Sequence, residues 1–160
     1  SFWKDDVPDS RIEIPVEVTR IACADPVAVR TSGGTIYATA SEADMIESKV
    51  IAILGRITVM HRDIVDVFLF ESRFLPDSAQ RLKSKLDALR INDVQMQERM
   101  RDLHERSDYH SRATQEVIDT QLDSGGAAQL NDSGGGKMVL DRVMRILNQY
   151  IGLEKANESD

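Results

Sequence analysis

The segment ESKVIAILGRITVMHRDIVDVFLF, Glu47 to Phe70, is the most apolar part of the chain, yet Lys49, Arg56, Arg62, Asp63 and Asp66 sit inside it. Its apolar residues recur at helical spacing on both sides of a short interruption. It therefore reads as two amphipathic helices that build a core and gather their charges on one polar edge. Ser41 is a candidate N-cap, and Glu42 and Asp44 fall in the first turn, where the helix dipole favours acids. Met45, Ile46, Val50, Ile53 and Leu54 form the expected apolar face, with Gly55 as the expected C-terminal stop. The second helix is expected from about Arg62 to Ser72, with Ile64, Val65, Phe68 and Leu69 turned inward.

Towards the N-terminus the periodicity changes. RIEIPVEVT alternates Ile12, Ile14, Val16 and Val18 with polar residues, the pattern of a half-buried strand that Pro15 confines to an edge. PVAVRTSGGTIYATA reads as a hairpin with Val27, Val29, Ile36 and Tyr37 in its arms and Ser32-Gly33-Gly34 at its turn. Downstream, Pro76 and Asp77 open a third helix carrying Leu82, Leu86 and Leu89. Residues 93–122 are mostly polar and read as one long solvated helix in want of a partner. DSGGAAQLNDSGGG reads as a flexible linker. In KMVLDRVMRILNQYIGL, Met138, Val139, Val143, Ile146, Leu147 and Tyr150 share one side, so this helix calls for a hydrophobic groove in this chain or another.

The expected class is α+β: short N-terminal antiparallel strands forming a hairpin, then a helical bundle with a long polar helix and a C-terminal amphipathic helix. The expected units are a core over 1–75, a helical extension over 76–122, a linker over 123–136 and an amphipathic helix with its tail over 137–160.

At 160 residues the chain is long enough to bury a core. Its net charge of -7 and pI near 5.0 exclude nucleic-acid binding by overall charge, so any phosphate chemistry must be local. Cys23 is the single cysteine, which rules out a disulfide framework or a thiolate metal cluster; it reads as a buried thiol in a reducing cytoplasm. No apolar run approaches the roughly 20 residues that span a bilayer. The opening SFWKDD lacks both signal-peptide character and an initiator Met, which fits a processed product or a piece of a longer chain. Phe2 and Trp3 read as packing residues, and His104 and His110 as solvated.

Lys49 and Arg56 are two helical turns apart, so their side chains point to the same side about 10 Å apart along the axis. A point charge and a planar fork on one face can clamp a phosphate. Asp63 and Asp66 meet on one face at a helix start, where Asp63 can cap backbone donors, while Arg62 can neutralise either carboxylate or face a phosphate. His61, beside Arg62, is a further phosphate candidate. On spacing alone, ordinary caps and snorkelling bases account for the same residues.

IESKVIAILGR followed by HRDIVDVFLF resembles two motifs of the AbiEii-type nucleotidyltransferases, the toxin subunits of abortive-infection, type IV toxin-antitoxin systems: K-x-x-A-x-x-x-R, then R-D-x-x-D and an apolar helix. Here these are Lys49, Ala52 and Arg56, then Arg62, Asp63 and Asp66. The resemblance covers about Arg11 to Phe74. It implies that Lys49 contacts the phosphates of a nucleoside triphosphate, that Asp63 belongs to the active-site set, and that Arg56, Arg62 and Asp66 support the nucleotide site by ion pairing. It also implies Mg²⁺, a transfer RNA acceptor, and an antitoxin or companion chain as partner. The family's upstream G-G-[ST] loop and D-x-D strand are not in this chain: SGGT at Ser32–Thr35 precedes the Lys motif too closely and reads as the hairpin turn, which leaves Glu13 and Glu17 as weak metal candidates. The competing reading is a non-catalytic interaction module whose helices pair with another chain or a second copy.

Overall fold

The computed structural model describes residues 22–152, so the strand expected at RIEIPVEVT, with Glu13 and Glu17, and the residues Phe2 and Trp3 lie outside the described region. Among the described residues the expected class is observed: a two-stranded antiparallel hairpin followed by seven α-helices. Strands β1 (Ala28–Ser32) and β2 (Thr35–Thr39) pair with Ala28 opposite Thr39 and Ser32 opposite Thr35. Gly33 and Gly34 form the two-residue turn, both with positive φ (54° and 79°), a backbone that matches the twist of the strands and suits glycine. Val27, Val29 and Ile36 remain exposed on this hairpin.

Helix α1 (Glu42–Gly55) starts as expected, the Ser41 side chain accepting from the Asp44 N–H. Ala43, Ile46, Val50, Ile53 and Leu54 are buried, whereas Met45 faces outward. The role of Gly55 differs from the expected one. Its backbone is not left-handed; a Cβ there would lie 2.6 Å from Ile91 Cδ1, so glycine leaves room for the Ile91 side chain as it is placed, while the chain simply turns extended at Arg56.

Helix α2 (His61–Leu69) is shorter than expected and passes into a single 3-10 turn, Glu71–Arg73. Ile64, Val65 and Val67 are its buried apolar residues, and Leu69 is exposed rather than inward. Helix α3 (Ser78–Ala88) buries Leu82 and Leu86 but leaves Leu89 out, because the helix ends there. Its end is a Schellman motif: Ile91 N–H donates to Leu86 O and Arg90 N–H to Asp87 O, with Arg90 left-handed at φ 59°. Only glycine holds that conformation without a Cβ penalty. Arg90→Gly is therefore expected to stabilise the fold by about 0.5 kcal/mol after the entropy cost of glycine is subtracted, read as a raised urea midpoint.

The single long polar helix is not observed. The chain forms α4 (Asp93–Glu105), opened by a reciprocal capping box between Asn92 and Gln95, and α5 (Ser107–Gln121), with a break at Arg106. The break turns α5 onto the rest of the chain and buries His110, Thr114 and Ile118, so His110 is not solvated, although His104 is exposed. The expected linker is also corrected. Ser124–Asp132 is helix α6, started by the Asp123 carboxylate accepting from the Gly125 and Gly126 N–H groups and anchored by buried Leu130. Gly134 (φ 114°) and Gly135 (φ 60°) then reverse the chain into α7 (Gly135–Ile151).

The apolar side of α7 finds its groove within this chain. Val139, Leu140, Val143, Ile146 and Leu147 are buried, and α7 packs against α2, α3, α5 and α6. One apolar core joins these residues to α1 and α4, and Phe74 stacks on Tyr150 at 4.5 Å between ring centres. No helix among the described residues is long and apolar enough to cross a membrane.

A second, ionic core lies between α1 and α3. Asp44 and Glu47 are fully buried, and Lys85 donates to both, at 2.5 and 2.6 Å. Arg81 donates to Glu47, Asp44 and Asp25, while Ala24 and Asp25 N–H groups donate to Asp44. This knot fastens the segment before the hairpin to the helices. Cys23, in that segment, lies at the surface rather than buried.

Candidate functional site

Four of the six charged residues of the stretch Glu47–Phe70 converge where α1 meets α2. Lys49 Nζ lies 2.9 Å from Asp63 Oδ1 and 2.8 Å from Asp66 Oδ2, and an Arg56 guanidinium nitrogen lies 2.8 Å from Asp63 Oδ2. Helical spacing explains the approach: Lys49 and Arg56 share a side of α1 and its end, and Asp63 and Asp66 share a side of α2. The two helices pack through Val50, Ile53, Ile64 and Val67, which brings these polar edges together. Asp63 is not a helix cap; its carboxylate goes to the two bases, and α2 starts without a side-chain cap at Met60. Arg62 is exposed and has no ion pair among the described residues, so it does not join the cluster.

The acids are shielded and the bases are not: side-chain exposure is 6% for Asp63, 36% for Lys49 and 49% for Arg56. Partial burial pushes the Lys49 ammonium down, but hydrogen bonds and charge from Asp66 and Asp63 outweigh it and hold the group above its ordinary value. Lys49 is thus a fixed cation. An ammonium has three donors, of which two are engaged, and a guanidinium has five, so both bases retain donors for an incoming anion.

Beside the cluster lies a groove of about 270 Å³ whose lining includes Met45, Ile46 and Phe70, with Lys49 and Asp66 among its polar residues. Glu42 and Arg73, also in the lining, are paired at 2.8 Å. Apolar walls beside a fixed cation suit a flat ring carrying an anionic group.

The residues do not fit Mg²⁺. Asp63 and Asp66 face ammonium and guanidinium groups instead of sharing an open oxygen-lined position, and no group of three metal-ligating side chains occurs among the described residues.

Sequence reading did not bring together Asp102, His110 and His61, which form a hydrogen-bonded chain beyond the start of α2; it left Asp102 unremarked and expected His110 to be solvated. They share no ligand spacing, and only the break at Arg106 brings α5 back to α2; the sole signal was His61 beside Arg62. No family model, no curated protein and no solved structure matches this chain.

Proposed function

We propose that this chain is the nucleotide-binding part of an AbiEii-like nucleotidyltransferase. The observation that supports the reading is the convergence of Lys49, Arg56, Asp63 and Asp66, the residues of the two motif-like stretches, on one ion-paired cluster beside an apolar groove. In this reading Lys49 and Arg56 hold the phosphates of a nucleoside triphosphate with their remaining donors. Asp63 and Asp66 keep the Lys49 ammonium charged and in place. The groove receives the base or ribose. Nucleotide transfer to an acceptor such as transfer RNA also calls for Mg²⁺. The carboxylates that would hold it belong, in this reading, to an upstream or companion segment carrying G-G-[ST] and D-x-D.

The second reading, an interaction module, draws its support from the exposed apolar residues Val27, Val29 and Ile36 of the hairpin. Its occupant would be an antitoxin, a companion chain or a second copy. The α7 helix no longer argues for it, since its apolar side is covered within the chain.

Titration calorimetry of this chain with each nucleoside triphosphate tests the first reading. Lys49→Ala is expected to weaken binding about tenfold, the equivalent of about 1.4 kcal/mol. In the complete enzyme, Lys49→Ala and Asp63→Ala are each expected to abolish transfer and leave the fold intact. Transfer retained in both variants would remove the assignment.

A further inference from the structure

A second cleft, of about 270 Å³, lies on the other side of the α1–α2 connection and is lined by Thr58, His61, Arg99, Arg106, Tyr109 and His110. Its back wall is fixed by Asp102, which accepts from Arg99 at 3.3 Å, from Arg106 at 3.1 Å and from His110 Nε2 at 3.2 Å. Arg99 also donates to the carbonyl oxygens of Arg56 and Ile57, which pins the connection against α4. Its Nε is buried and has no hydrogen-bond partner among the described residues. Arg106 lies over the Tyr109 ring, 4.6 Å from its centre, and is otherwise open to solvent.

The proton positions follow from Asp102. Burial pushes its carboxyl up, but Arg106 and His110 outweigh this and hold it below the ordinary carboxylate range, so it is ionised. His110 Nε2 therefore donates to it, which leaves His110 Nδ1 as an acceptor. His61 Nε2, 2.9 Å away, donates to that nitrogen. His61 Nδ1 is left as a lone pair with no hydrogen-bond partner among the described residues. Desolvation lowers both imidazoles, so each is neutral at pH 7.

We infer that this cleft is a binding site for a phosphate monoester in its protonated, monoanionic form, held by Arg106 and Tyr109 through its oxygens and by His61 Nδ1 through its P–OH. Two guanidinium groups attract the anion, while the one carboxylate in the cleft is already engaged by three donors and repels it least. The unsatisfied imidazole nitrogen selects a ligand that brings a proton, which a phosphodiester lacks. The groups that face His61 are Arg99 and Asp102 of α4, Arg106 at the break, and Tyr109, His110 and Glu116 of α5. Affinity therefore falls as pH rises through the second ionisation of the phosphate, near 6 for a monoester.

The test uses the whole chain with ¹⁵N-labelled histidine and inorganic phosphate as probe, followed by NMR at about pH 6 and about pH 8. Saturable shifts of the His61 and His110 nitrogens are expected at the lower pH, with exposed His104 unmoved, and binding about tenfold weaker at the higher. Glycerol 3-phosphate is expected to displace phosphate, and dimethyl phosphate is expected not to bind. Arg106→Gln, at an exposed position, should weaken binding about tenfold, and His61→Gln should abolish the response of His110. Lys49→Ala should leave these signals unchanged, which separates this site from the nucleotide site proposed above. Absence of a saturable His61 shift, equal binding of dimethyl phosphate, no displacement by glycerol 3-phosphate, or insensitivity to both cleft variants would overturn the inference.

Discussion

Lys85→Met is expected to lower the free energy of unfolding by about 3–5 kcal/mol, measured by urea denaturation at neutral pH. Methionine fills much the same volume, so the loss is electrostatic. Asp44 and Glu47 are fully buried and share the Lys85 ammonium; without it, Arg81 alone faces three carboxylates, those of Asp25, Asp44 and Glu47. A buried charge stripped of its partner costs far more than the pair was worth in water. A loss below about 1 kcal/mol would mean that water enters the knot and the carboxylates are not desolvated. Acid acts on the same knot. Burial pushes the Asp44 carboxyl up, but hydrogen bonds from Ala24, Lys85 and Asp25 outweigh it and leave its pKa at about 2, below the ordinary 3.8 of an aspartate. A depressed carboxylate contributes stability that is full above its unfolded value and lost as pH falls through its folded one. The urea midpoint should therefore be level near pH 5 and fall between about pH 4 and pH 2, with about 2 kcal/mol of the loss due to Asp44.

The second large effect is expected from Gly136→Ala, a loss of about 3 kcal/mol seen as a lowered Tm. A Cβ on Gly136 would stand 2.3 Å from Ser111 O and 2.6 Å from Gln115 N, both backbone atoms of α5. Neither can step aside as a side chain does, so α5 and α7 must separate along the contact that closes the core. Gly126→Ala is the control: its Cβ would have nothing nearer than 3.4 Å, so alanine there should be close to neutral. Equal effects at both positions would trace the loss to glycine chemistry in general and not to the α5–α7 approach.

These residues show where sequence reading reached and where it stopped. The hairpin was legible because Gly33-Gly34 between alternating arms admits little else, and spacing put Lys49 with Arg56 and Asp63 with Asp66 on shared helix sides, but it gave the acids to backbone donors and Arg62 and did not foresee that they pair with those two bases. The ionic knot was not. Asp44 in a first turn looks like any dipole-favoured acid, and the lysine that answers it is 41 residues away. The glycines of residues 125–136 were misread for a physical reason. Flexibility is what glycine offers by itself, whereas here Asp123 caps two of them into α6, and Gly136 is small because another backbone passes beside it. Likewise, the polarity of residues 93–122 gave no sign of the break at Arg106, which depends on α5 having α7 to rest upon.

The central place of α7 also bears on how the chain reaches this fold during synthesis. Chains leave the ribosome N-terminal end first, and α7 follows every helix that packs around it. Until residues 135–151 emerge, Ile64, Val67, Leu82 and Ile118 lack the pillar they close upon. The helices can form as they appear, but the core closes only in one late step. A nascent chain arrested before α7 should thus be held by chaperones or degraded, rather than persist as a folded half.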